Sequence, residues 1–426
     1  MSVAAIILVL VFILLLALGV PISFAMMGSM LASLLKGGFN SIAMAQKLIT
    51  GMDSLTMLAV PGFLLAGELM CKGGLASRLI KMADALIGHV RNGLSIVTIV
   101  AGMFFSAMNG TAAATTAAIG SLMIPEMKER GYDKDYVAAL AAVIGPLGPI
   151  IPPSVIMIIY CCGGEVSVGD LFLAGVVPGI LLGVALILCS YIMTRKMELK
   201  VLPKAKGREV WAAFKDGFWS LLTPIIILGG IYGGVCTPTE AAVIAVFYTL
   251  IVGMFVYREL DWKAIKECLV SAIENSAMVM LIVGAAAGFG WMIAITNVSS
   301  SLANGILKIT TNPAVILLLL NLVLILVGCF MDTISAVVIF QTVMLPIAKM
   351  IGIDLLQFAA IFIVVVSLGN ATPPFGYALF VGARIADSPL EKISKNVLPM
   401  CLAMFIVVIF LNIFPVLTVG LPSLLK

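Results

Sequence analysis

Long stretches of this sequence carry no charged side chain, and this feature limits the possible folds more than any other. The first stretch runs from Val3 without a charge until Lys36. Because 62% of the residues are hydrophobic and only 11% are charged, the chain lacks the polar surface that a water-soluble protein of 426 residues needs. In lipid, each backbone polar group must be paired internally, so spanning segments form helices or closed barrels. The apolar runs are continuous and do not alternate, which predicts an all-α polytopic membrane protein and not a β-barrel.

A membrane crossing takes about 20 residues of helix, and several of the apolar segments are shorter than that. The segments are 3–19, 22–35, 54–70, 94–108, 111–124, 136–160, 171–193, 218–234, 241–256, 269–292, 315–330, 333–345, 358–380 and 397–416. Asn109-Gly110 separates one short pair, and Met331-Asp332 separates another. Each pair predicts a re-entrant hairpin whose tip stops inside the membrane.

The sequence also repeats itself at a shift of 221 residues. This shift places Gly131 on Gly352, Asp133 on Asp354 and the two consecutive prolines at 152–153 on those at 373–374. Internal repeats of this kind are typical of transporter folds. We therefore predict a first repeat over 1–193, with a hairpin at about 94–124 and a broken helix at about 136–160. A cytoplasmic linker with an interfacial arm helix follows over 194–217, and the second repeat covers 218–426, with its hairpin at about 315–345 and its broken helix at about 358–380.

Five spans and one hairpin in each half make an odd number of crossings, so the second repeat is expected to be inverted relative to the first. The distribution of positive charge supports this arrangement. With the N-terminus outside, 20 of the 25 Lys and Arg residues fall on the cytoplasmic side, and only Lys36, Lys47, Lys308, Lys349 and Lys426 fall outside. The sequence thus predicts periplasmic N- and C-termini, a first hairpin that opens to the cytoplasm and a second that opens to the outside.

The hairpin tips and the Gly/Pro-rich breaks carry the candidate functional residues. Consecutive prolines cannot donate backbone hydrogen bonds, so they free carbonyl groups near the middle of the membrane, where a cation can bind them. Asp332 is the most specific residue, because a carboxylate at this depth costs about 2.5 to 3.5 kcal/mol and is kept only with compensation. It is either an ion or substrate ligand, or a helix N-cap that local amides satisfy, or both.

Neutral oxygen atoms suit a hard, singly charged cation such as sodium. The predicted sodium-binding residues are Ser106, Asn109, Gly110, Thr111, Gly145, Pro149, Pro152, Asp332, Thr333, Ser335, Gly369, Asn370, Thr372 and Pro373. The predicted substrate-binding residues are Asn109, Thr111, Ser154, Asp332, Asn370 and Thr372. Any single Ser or Thr on an apolar helix more often bonds to its own turn, so the repeated cluster is more specific than its members.

Other kinds of site find little support in the sequence. The eight Cys residues lie mostly inside apolar segments, where Cys behaves as a small hydrophobe, and we expect neither disulfides nor a metal other than sodium. A single histidine, His89, argues against histidine-based zinc or haem chemistry. The net charge of +4 does not indicate a nucleic-acid partner, because most of the basic residues follow the membrane topology. No cofactor is expected.

Four motifs of the sequence are specific enough to compare with known families: NGTAAATTAAIGSLMIPEM from Asn109, GPLGPIIPPS from Gly145, GGIYGGVCTPTEAA from Gly229 and GNATPPFG from Gly369. Together they resemble the large membrane subunit, the M or DctM subunit, of tripartite ATP-independent periplasmic (TRAP) transporters. The resemblance extends over essentially the whole chain. Many relatives carry a Ser-Gly-Ser type tip where this chain has Ser106-Ala107-Met108-Asn109.

The resemblance implies an elevator-type secondary transporter of the bacterial inner membrane that imports an organic acid, such as a dicarboxylate or sialic acid, together with sodium. It also implies two partners, a small four-helix membrane subunit (Q) and a periplasmic solute-binding protein (P), within the lipid bilayer. By resemblance, sodium sites lie where each hairpin tip meets the neighbouring broken helix.

Four alternative functions differ from this one. A stand-alone sodium/anion symporter of the divalent anion type would have a related fold without the partners. An intramembrane enzyme would need a catalytic pair, and no second aspartate accompanies Asp332. A passive channel does not need paired hairpins with broken helices, which suit alternating access. A primary pump would need a nucleotide site, and the sequence has no Walker-type glycine loop followed by Lys.

Overall fold

The computed structural model describes residues 3–38, 40–163, 165–200, 203–308 and 310–425, apart from the side chains of Met108 and Asn109. Every regular element in these ranges is a helix. The helices of the first half are α1 (Val3–Ala17), α2 (Ile22–Gly37), α3 (Ile42–Met52), α4 (Ala59–Lys72, after a 3-10 turn at Leu55–Leu58), α5 (Leu75–Ile87), α6 (Gly93–Asn109), α7 (Ala112–Glu129), α8 (Lys134–Ile144), α9 (Leu147–Ile150), α10 (Val155–Gly163) and α11 (Val168–Thr194).

The second half of the chain begins with a helix that starts inside the predicted linker. Its helices are α12 (Gly207–Tyr232), α13 (Pro238–Ile251, with a π-helical turn at Val252–Val256), α14 (Trp262–Ile295), α15 (Val298–Leu307), α16 (Pro313–Phe330), α17 (Thr333–Met350), α18 (Leu355–Gly369), α19 (Tyr377–Ala386), α20 (Leu390–Ile413) and α21 (Val416–Leu424).

Within the described ranges, eight helices are long and apolar enough to cross a membrane. A ninth crossing results if the bent pair Lys134–Ile150 and Val155–Gly163, whose axes differ by 45°, counts as one span. The prediction of an all-α polytopic membrane protein is therefore confirmed.

The helices of both predicted hairpins are longer than the apolar runs from which we predicted them. The run at 333–345 becomes an 18-residue helix, α17, that continues past Pro346 and Lys349. In the same way α7 continues past Pro125 to Glu129. A helix propagates through backbone hydrogen bonds and needs no apolar side chains, so hydropathy underestimates its length. Length alone therefore does not limit the depth of these hairpins, and their re-entrant placement stays a prediction.

Four helices, α3, α5, α15 and α21, were not among the predicted apolar segments, and the predicted arm helix is not separate. Hydropathy averaged over the length of a membrane span does not detect short amphipathic helices such as α5. This helix buries Leu75 and Leu79 and exposes Lys81. The predicted arm is the first part of α12, which continues unbroken from Gly207 to Tyr232.

Helix boundaries in the two halves follow the shift found in the sequence. Helices α7 and α17 begin at Ala112 and Thr333, and α8 and α18 begin at Lys134 and Leu355, so each pair of starts is 221 residues apart. Both proline pairs of the breaks have a cis peptide bond between their two members. One departure concerns α14, whose 34 residues match α3 and α4 together, because the helix break at Asp53 has no counterpart near Glu274.

In each half, an aspartate is the N-cap residue of the broken helix. Asp133 accepts hydrogen bonds from the backbone N–H groups of Asp135 and Tyr136 at 3.0 and 2.9 Å. Asp354 does the same for Leu356 and Gln357 at 2.9 and 2.8 Å. These caps satisfy first-turn N–H groups that have no partner within the helix.

Replacing either cap aspartate by Ala should lower the free energy of unfolding by about 1 kcal/mol, since an alanine leaves the first-turn amides without a side-chain acceptor. Thermal unfolding of Asp133→Ala and Asp354→Ala in detergent measures this effect. Asn is also a good N-cap residue, so Asp133→Asn and Asp354→Asn serve as controls that should unfold close to the wild type. Equal unfolding temperatures for the Ala and Asn variants would contradict the capping role.

The two hairpins and the two broken helices pack into one body through contacts that cross between the halves. Helix α10 of the first half packs against α17 of the second, and α19 of the second packs against α7 of the first. These two contacts correspond to each other under the 221-residue shift. Helices α11 and α20 pack against each other and against α18 and α8, respectively, so they join the same body.

The remaining long helices form a second group. Helix α14 packs against α2, α3 and α4, and α13 packs against α4 and α12. This group meets the hairpin body where α14 and α15 contact α17, where α4, α5 and α12 contact α6, and where α4 contacts α10. We call the first group the hairpin body (α6–α11 and α16–α20) and the second the frame (α1–α5 and α12–α15).

Candidate functional site

The tip of the first hairpin is packed against the break in the first broken helix. Gly110 adopts a left-handed conformation with φ +67°, and a Cβ atom there would lie 2.9 Å from the backbone nitrogen of Val155. A Cβ on Gly148 would lie 2.6 Å from the Thr111 carbonyl oxygen. Only glycine permits both approaches, so these residues fix the tip in the break.

Two hydroxyl groups in this region are buried without a hydrogen-bond partner among the described residues. They are Ser106 Oγ on α6 and Thr116 Oγ1 on α7, and both side chains are fully buried. Thr116 Oγ1 faces Gly145, and a side chain in place of Gly145 would displace this hydroxyl. A buried hydroxyl without a partner is destabilising by roughly 1–3 kcal/mol, so each is a candidate ligand. The neighbouring Thr115 differs, because its hydroxyl donates to the Thr111 carbonyl at 2.9 Å.

The second tip begins with Asp332, which is the N-cap of α17. Its carboxylate accepts a hydrogen bond from the Ser335 backbone N–H at 3.1 Å and remains exposed. The hydroxyl of Ser335 itself is buried and has no partner in the described chain. Both proposed roles of Asp332 are thus open to it: the carboxylate caps the helix and still reaches solvent.

Asn370 links this tip to the second break. In the amide orientation that satisfies all of its neighbours, the Thr333 hydroxyl donates to the Asn370 side-chain oxygen, and the amide nitrogen donates to the Gly328 and Met331 carbonyls at 3.3 and 3.1 Å. Gly369 lies directly against Gly328, where a Cβ on Gly328 would lie 2.9 Å from the Cα of Gly369. The second tip is therefore held by the hydrogen bonds of Asn370 and by the contact between Gly328 and Gly369.

Both tips border a single small cavity of about 90 Å³. Its polar walls come from Thr111, Asp332, Thr333, Asn370 and Tyr377. Asp332 is the one charged side chain among the lining residues that the structure describes. The cavity is thus built from both halves of the chain and carries a single carboxylate.

Four helices direct their N-terminal ends at this cavity. The lining residues include the first residues of α7, α17 and α19 and the second residue of α10. A helix N-terminus carries unpaired N–H groups and a partial positive charge, so it attracts anions. Thr111, the N-cap residue of α7, makes no side-chain capping bond. In α19 the Ala378 and Leu379 N–H groups donate to the Asn370 and Gly376 carbonyls at 2.9 Å.

The structure brings some of the predicted site residues together and separates others. Of the predicted substrate ligands, Thr111, Asp332 and Asn370 line the cavity. Ser154 and Thr372 do not: Ser154 Oγ donates to the Pro149 carbonyl at 2.7 Å, and Thr372 Oγ1 donates to the Leu368 carbonyl at 2.8 Å. Freed carbonyls of a break often find a local donor in this way.

Three further predicted sodium ligands, Pro149, Pro152 and Pro373, are not among the residues that line the cavity. The Pro149 carbonyl already accepts the Ser154 hydroxyl, and Pro373 has its carbonyl 4.0 Å from the Cys329 thiol. Pro152 lines an apolar groove beside α6, α11 and α12 and not the cavity. The side chain of Asn109 lies outside the described residues.

Two residues of the site were missed by the sequence reasoning. Thr116 stands in the quoted motif, but nothing in its spacing separates it from Thr115, whose hydroxyl is satisfied. Tyr377 opens α19 and is 52% exposed at the cavity. Its position directly after the GNATPPFG motif was the available signal.

No group of three or more His, Cys, Asp or Glu side chains that could hold a metal ion occurs in the described part of the chain. The candidate cation ligands are therefore hydroxyl and carbonyl oxygens together with the Asp332 carboxylate, a donor set suited to a hard cation.

Comparison with known proteins identifies the family. The family model "Tripartite ATP-independent periplasmic transporter, DctM component" matches residues 9–417. A sialic acid TRAP transporter large permease protein of Vibrio cholerae is 38% identical over 95% of this chain and 95% of its own length. A C4-dicarboxylate TRAP transporter large permease protein of Pseudomonas aeruginosa is 37% identical over 89% of each chain. An isethionate TRAP transporter permease protein, DctMQ, of Oleidesulfovibrio alaskensis is 40% identical, and this chain spans 64% of its length.

Two solved structures share the fold at low sequence identity. The YdaH transporter of Alcanivorax borkumensis superposes with a TM-score of 0.66 at 16% identity, over 87% of this chain and 86% of its own. MtrF of Neisseria gonorrhoeae gives 0.58 at 13% identity, over 87% and 83%. With the family model matched over nearly the whole chain, the chain belongs to the DctM component family of tripartite ATP-independent periplasmic transporters and is a transporter subunit, not an enzyme.

Proposed function

We propose that this chain imports an organic acid across the bacterial inner membrane, coupled to sodium, and that the acid binds in the cavity between the two hairpin tips. The observation that carries this proposal is the convergence of four helix N-termini on that one cavity. Such ends bind carboxylate groups without a buried cationic side chain. The named relatives support the substrate class, since they are permeases for isethionate, sialic acid and C4-dicarboxylates.

Sodium coupling would offset the repulsion between the Asp332 carboxylate and an anionic substrate in this cavity. Asp332 and an organic acid are both anionic, and two carboxylates at close range repel each other unless a cation lies between them. A sodium ion held by Asp332 would remove this repulsion and make acid binding depend on sodium. The buried hydroxyls of Ser106, Thr116 and Ser335, which have no hydrogen-bond partner among the described residues, offer further oxygen ligands beside the two tips.

Removing one of these hydroxyls should raise the sodium concentration that gives half-maximal uptake. We expect an increase of about fivefold for Ser106→Ala or Thr116→Val, because a lost neutral ligand is worth roughly 1 kcal/mol. Sodium titration of uptake into proteoliposomes measures this change. Ser121→Ala is the matched control, since this hydroxyl lies on the exposed side of α7 and donates to the Ala118 carbonyl. An unchanged sodium dependence in both test variants would exclude these hydroxyls as ligands.

Transport by an elevator mechanism is also part of the proposal. The hairpin body would move against the frame and carry the cavity from one side to the other. The cross-contacts of α10 with α17 and of α7 with α19 support this idea, because they tie both tips and both breaks into one unit. The unpaired backbone groups at the tips would then stay covered by protein throughout the movement.

The chain would work with a small membrane subunit and a periplasmic binding protein. The fused DctMQ relative supports the first partner. We place the small subunit on the frame, where α1, α12 and α13 expose large apolar side chains such as Leu10, Trp211 and Phe247. A stand-alone symporter would transport without either partner.

The predicted grouping of loops on the two sides of the membrane receives support from the ion pairs, and the positive-inside bias is the basis for placing both termini in the periplasm. Lys72 pairs with Glu267, Arg78 with Asp216 and Glu259, and Arg130 with Asp84 and Glu126, while Lys349 pairs with Glu165. Each of these pairs joins residues that the charge distribution assigns to the same side of the membrane. Only the last pair falls on the side predicted to be periplasmic.

A cysteine label placed at Glu165 should therefore react with an impermeant thiol reagent in intact cells, and one placed at Lys204 should react only after the membrane is opened. The positive-inside bias is the reason. Both variants should be made in a background without the eight native cysteines. The reverse labelling pattern would overturn the proposed orientation.

The central experiment is uptake of labelled organic acids into proteoliposomes that contain this chain with the small subunit. Uptake should require inward sodium and the binding protein. Uptake that is equal in potassium would refute sodium coupling, and uptake that is independent of both partners would favour the stand-alone symporter.

A further inference from the structure

A second polar cavity, about 200 Å³ in volume, lies where α6 begins and α11 ends. It is separate from the transport cavity at the hairpin tips. Its walls come from Arg91 and Asn92 before α6, Tyr191 and Thr194 in the last turn of α11, and Arg195 and Leu199 beyond it.

Two arginines border this cavity, and neither has an acidic partner within 4 Å among the residues that the structure describes. By contrast, Arg78 and Arg130 each pair with two carboxylates. Arg91 donates one hydrogen bond to the Arg195 carbonyl at 3.1 Å, which positions its guanidinium group. A guanidinium group has five N–H donors in a planar fork that matches the oxygens of a phosphate.

An unsatisfied acceptor lies in the same wall. Asn92 is 2% exposed, and its side-chain nitrogen donates to Ser190 Oγ at 3.0 Å. Its side-chain oxygen is buried and has no hydrogen-bond partner in the described chain. A buried acceptor of this kind needs a donor, and the two exposed arginines are able to bind an anion. A ligand that carries both a phosphate and a hydroxyl would satisfy all three side chains.

The cavity also lies at the edge of the membrane. Helix α11 is a 27-residue apolar span that ends at Thr194, one residue before Arg195. In its last turn, Tyr191 is 55% exposed and Ile192 is 73% exposed. Tyrosine is enriched at the level of lipid headgroups, and a large exposed isoleucine beside it is suited to contact with an acyl chain. A phosphate that reaches this cavity from the membrane is that of a phospholipid.

We propose that this cavity binds the headgroup of an anionic phospholipid that carries a free hydroxyl, such as phosphatidylglycerol. Arg91 and Arg195 bind the phosphate, and the side-chain oxygen of Asn92 accepts a hydrogen bond from the headgroup hydroxyl. Basic pockets beside membrane helices bind anionic headgroups in this way. Because the cavity joins α6 to α11, the lipid would stay with the hairpin body.

Native mass spectrometry of the delipidated chain in detergent, titrated with phosphatidylglycerol or phosphatidylcholine, tests the proposal. The wild type should retain phosphatidylglycerol at concentrations where phosphatidylcholine does not bind. The Arg91→Gln/Arg195→Gln double variant should bind it roughly 30-fold more weakly, because each basic residue near a headgroup contributes about 1 kcal/mol and 1.4 kcal/mol is tenfold. Arg91→Lys/Arg195→Lys keeps the charge and should fall in between.

The control removes two basic residues that do not line the cavity. Lys81 and Arg208 have no ion-pair partner in the described chain and lie on α5 and at the start of α12. Lys81→Gln/Arg208→Gln should bind the lipid as the wild type does, and an equal loss in both double variants would show nonspecific attraction and overturn the proposal.

Titration with inorganic phosphate is the last arm of the experiment. Binding of phosphate without binding of phosphatidylglycerol would overturn the phospholipid as the source of the bound phosphate. If the Gln variant does not fold, equal binding of the two lipids by the wild type is sufficient to reject the site.

Discussion

Replacing Asp332 by Ala should lower sodium-driven uptake about ten- to hundredfold while leaving expression and assembly with the small subunit intact. Asp332 is the one described charge in the cavity, so its loss removes the carboxylate that would hold the coupling ion. A charge-assisted contact is worth roughly 1.5–3 kcal/mol, which corresponds to about a ten- to hundredfold loss of uptake. Initial rates in proteoliposomes, normalised to the amount of inserted protein, measure the effect.

Asp332 also caps α17, so the control must separate its charge from its hydrogen bond. The carboxylate accepts from the Ser335 N–H at 3.1 Å, and an asparagine oxygen can accept the same bond. We therefore expect Asp332→Asn to unfold at the wild-type temperature and yet to lose uptake. If Asp332→Asn transports at the wild-type rate with an unchanged sodium dependence, Asp332 is only a helix cap, and the proposal of an ion site at the second tip is wrong.

The sequence was sufficient to predict the parts of the fold that depend on hydropathy and on the repeat. The membrane class, the two helix pairs that meet at Asn109-Gly110 and Met331-Asp332, and the breaks at the proline pairs all follow from local residue types. Helices α3, α5, α15 and α21 did not, because they are too short for a spanning window. The end of α17 was also missed, since backbone bonds carry a helix past Lys349 whatever its hydropathy.

The candidate site was only partly predictable, and the reason is geometric. The repeat identified both tips and both breaks, and Asp332, Thr111 and Asn370 do meet in one cavity. Whether a given hydroxyl is free depends on its rotamer and on its neighbours, which spacing does not determine. The hydroxyls of Ser154 and Thr372 bond to carbonyls of their own segments, whereas that of Thr116 faces Gly145 from another helix.

A disulfide between the hairpin body and the frame should stop transport, because the proposed movement separates the two groups. Gly290 on α14 and Thr342 on α17 are suitable positions, since a Cβ atom on Gly290 would lie 3.1 Å from the Cβ of Thr342. That spacing is close to the range for a disulfide. In a cysteine-free background, oxidised Gly290→Cys/Thr342→Cys should show only background uptake, and reduction should restore it.

A crosslink within the hairpin body is the matched control, because an elevator moves this body without internal change. Gly120 on α7 and Ala141 on α8 fit the purpose, as a Cβ on Gly120 would lie 3.6 Å from the Ala141 Cβ. Oxidised Gly120→Cys/Ala141→Cys should keep most of its uptake. Full activity with α17 locked to α14 would refute the elevator and favour gates that open at a fixed site. Loss of activity from both crosslinks would instead place the essential movement inside the hairpin body, since only relative motion of α7 and α8 is blocked in the second variant.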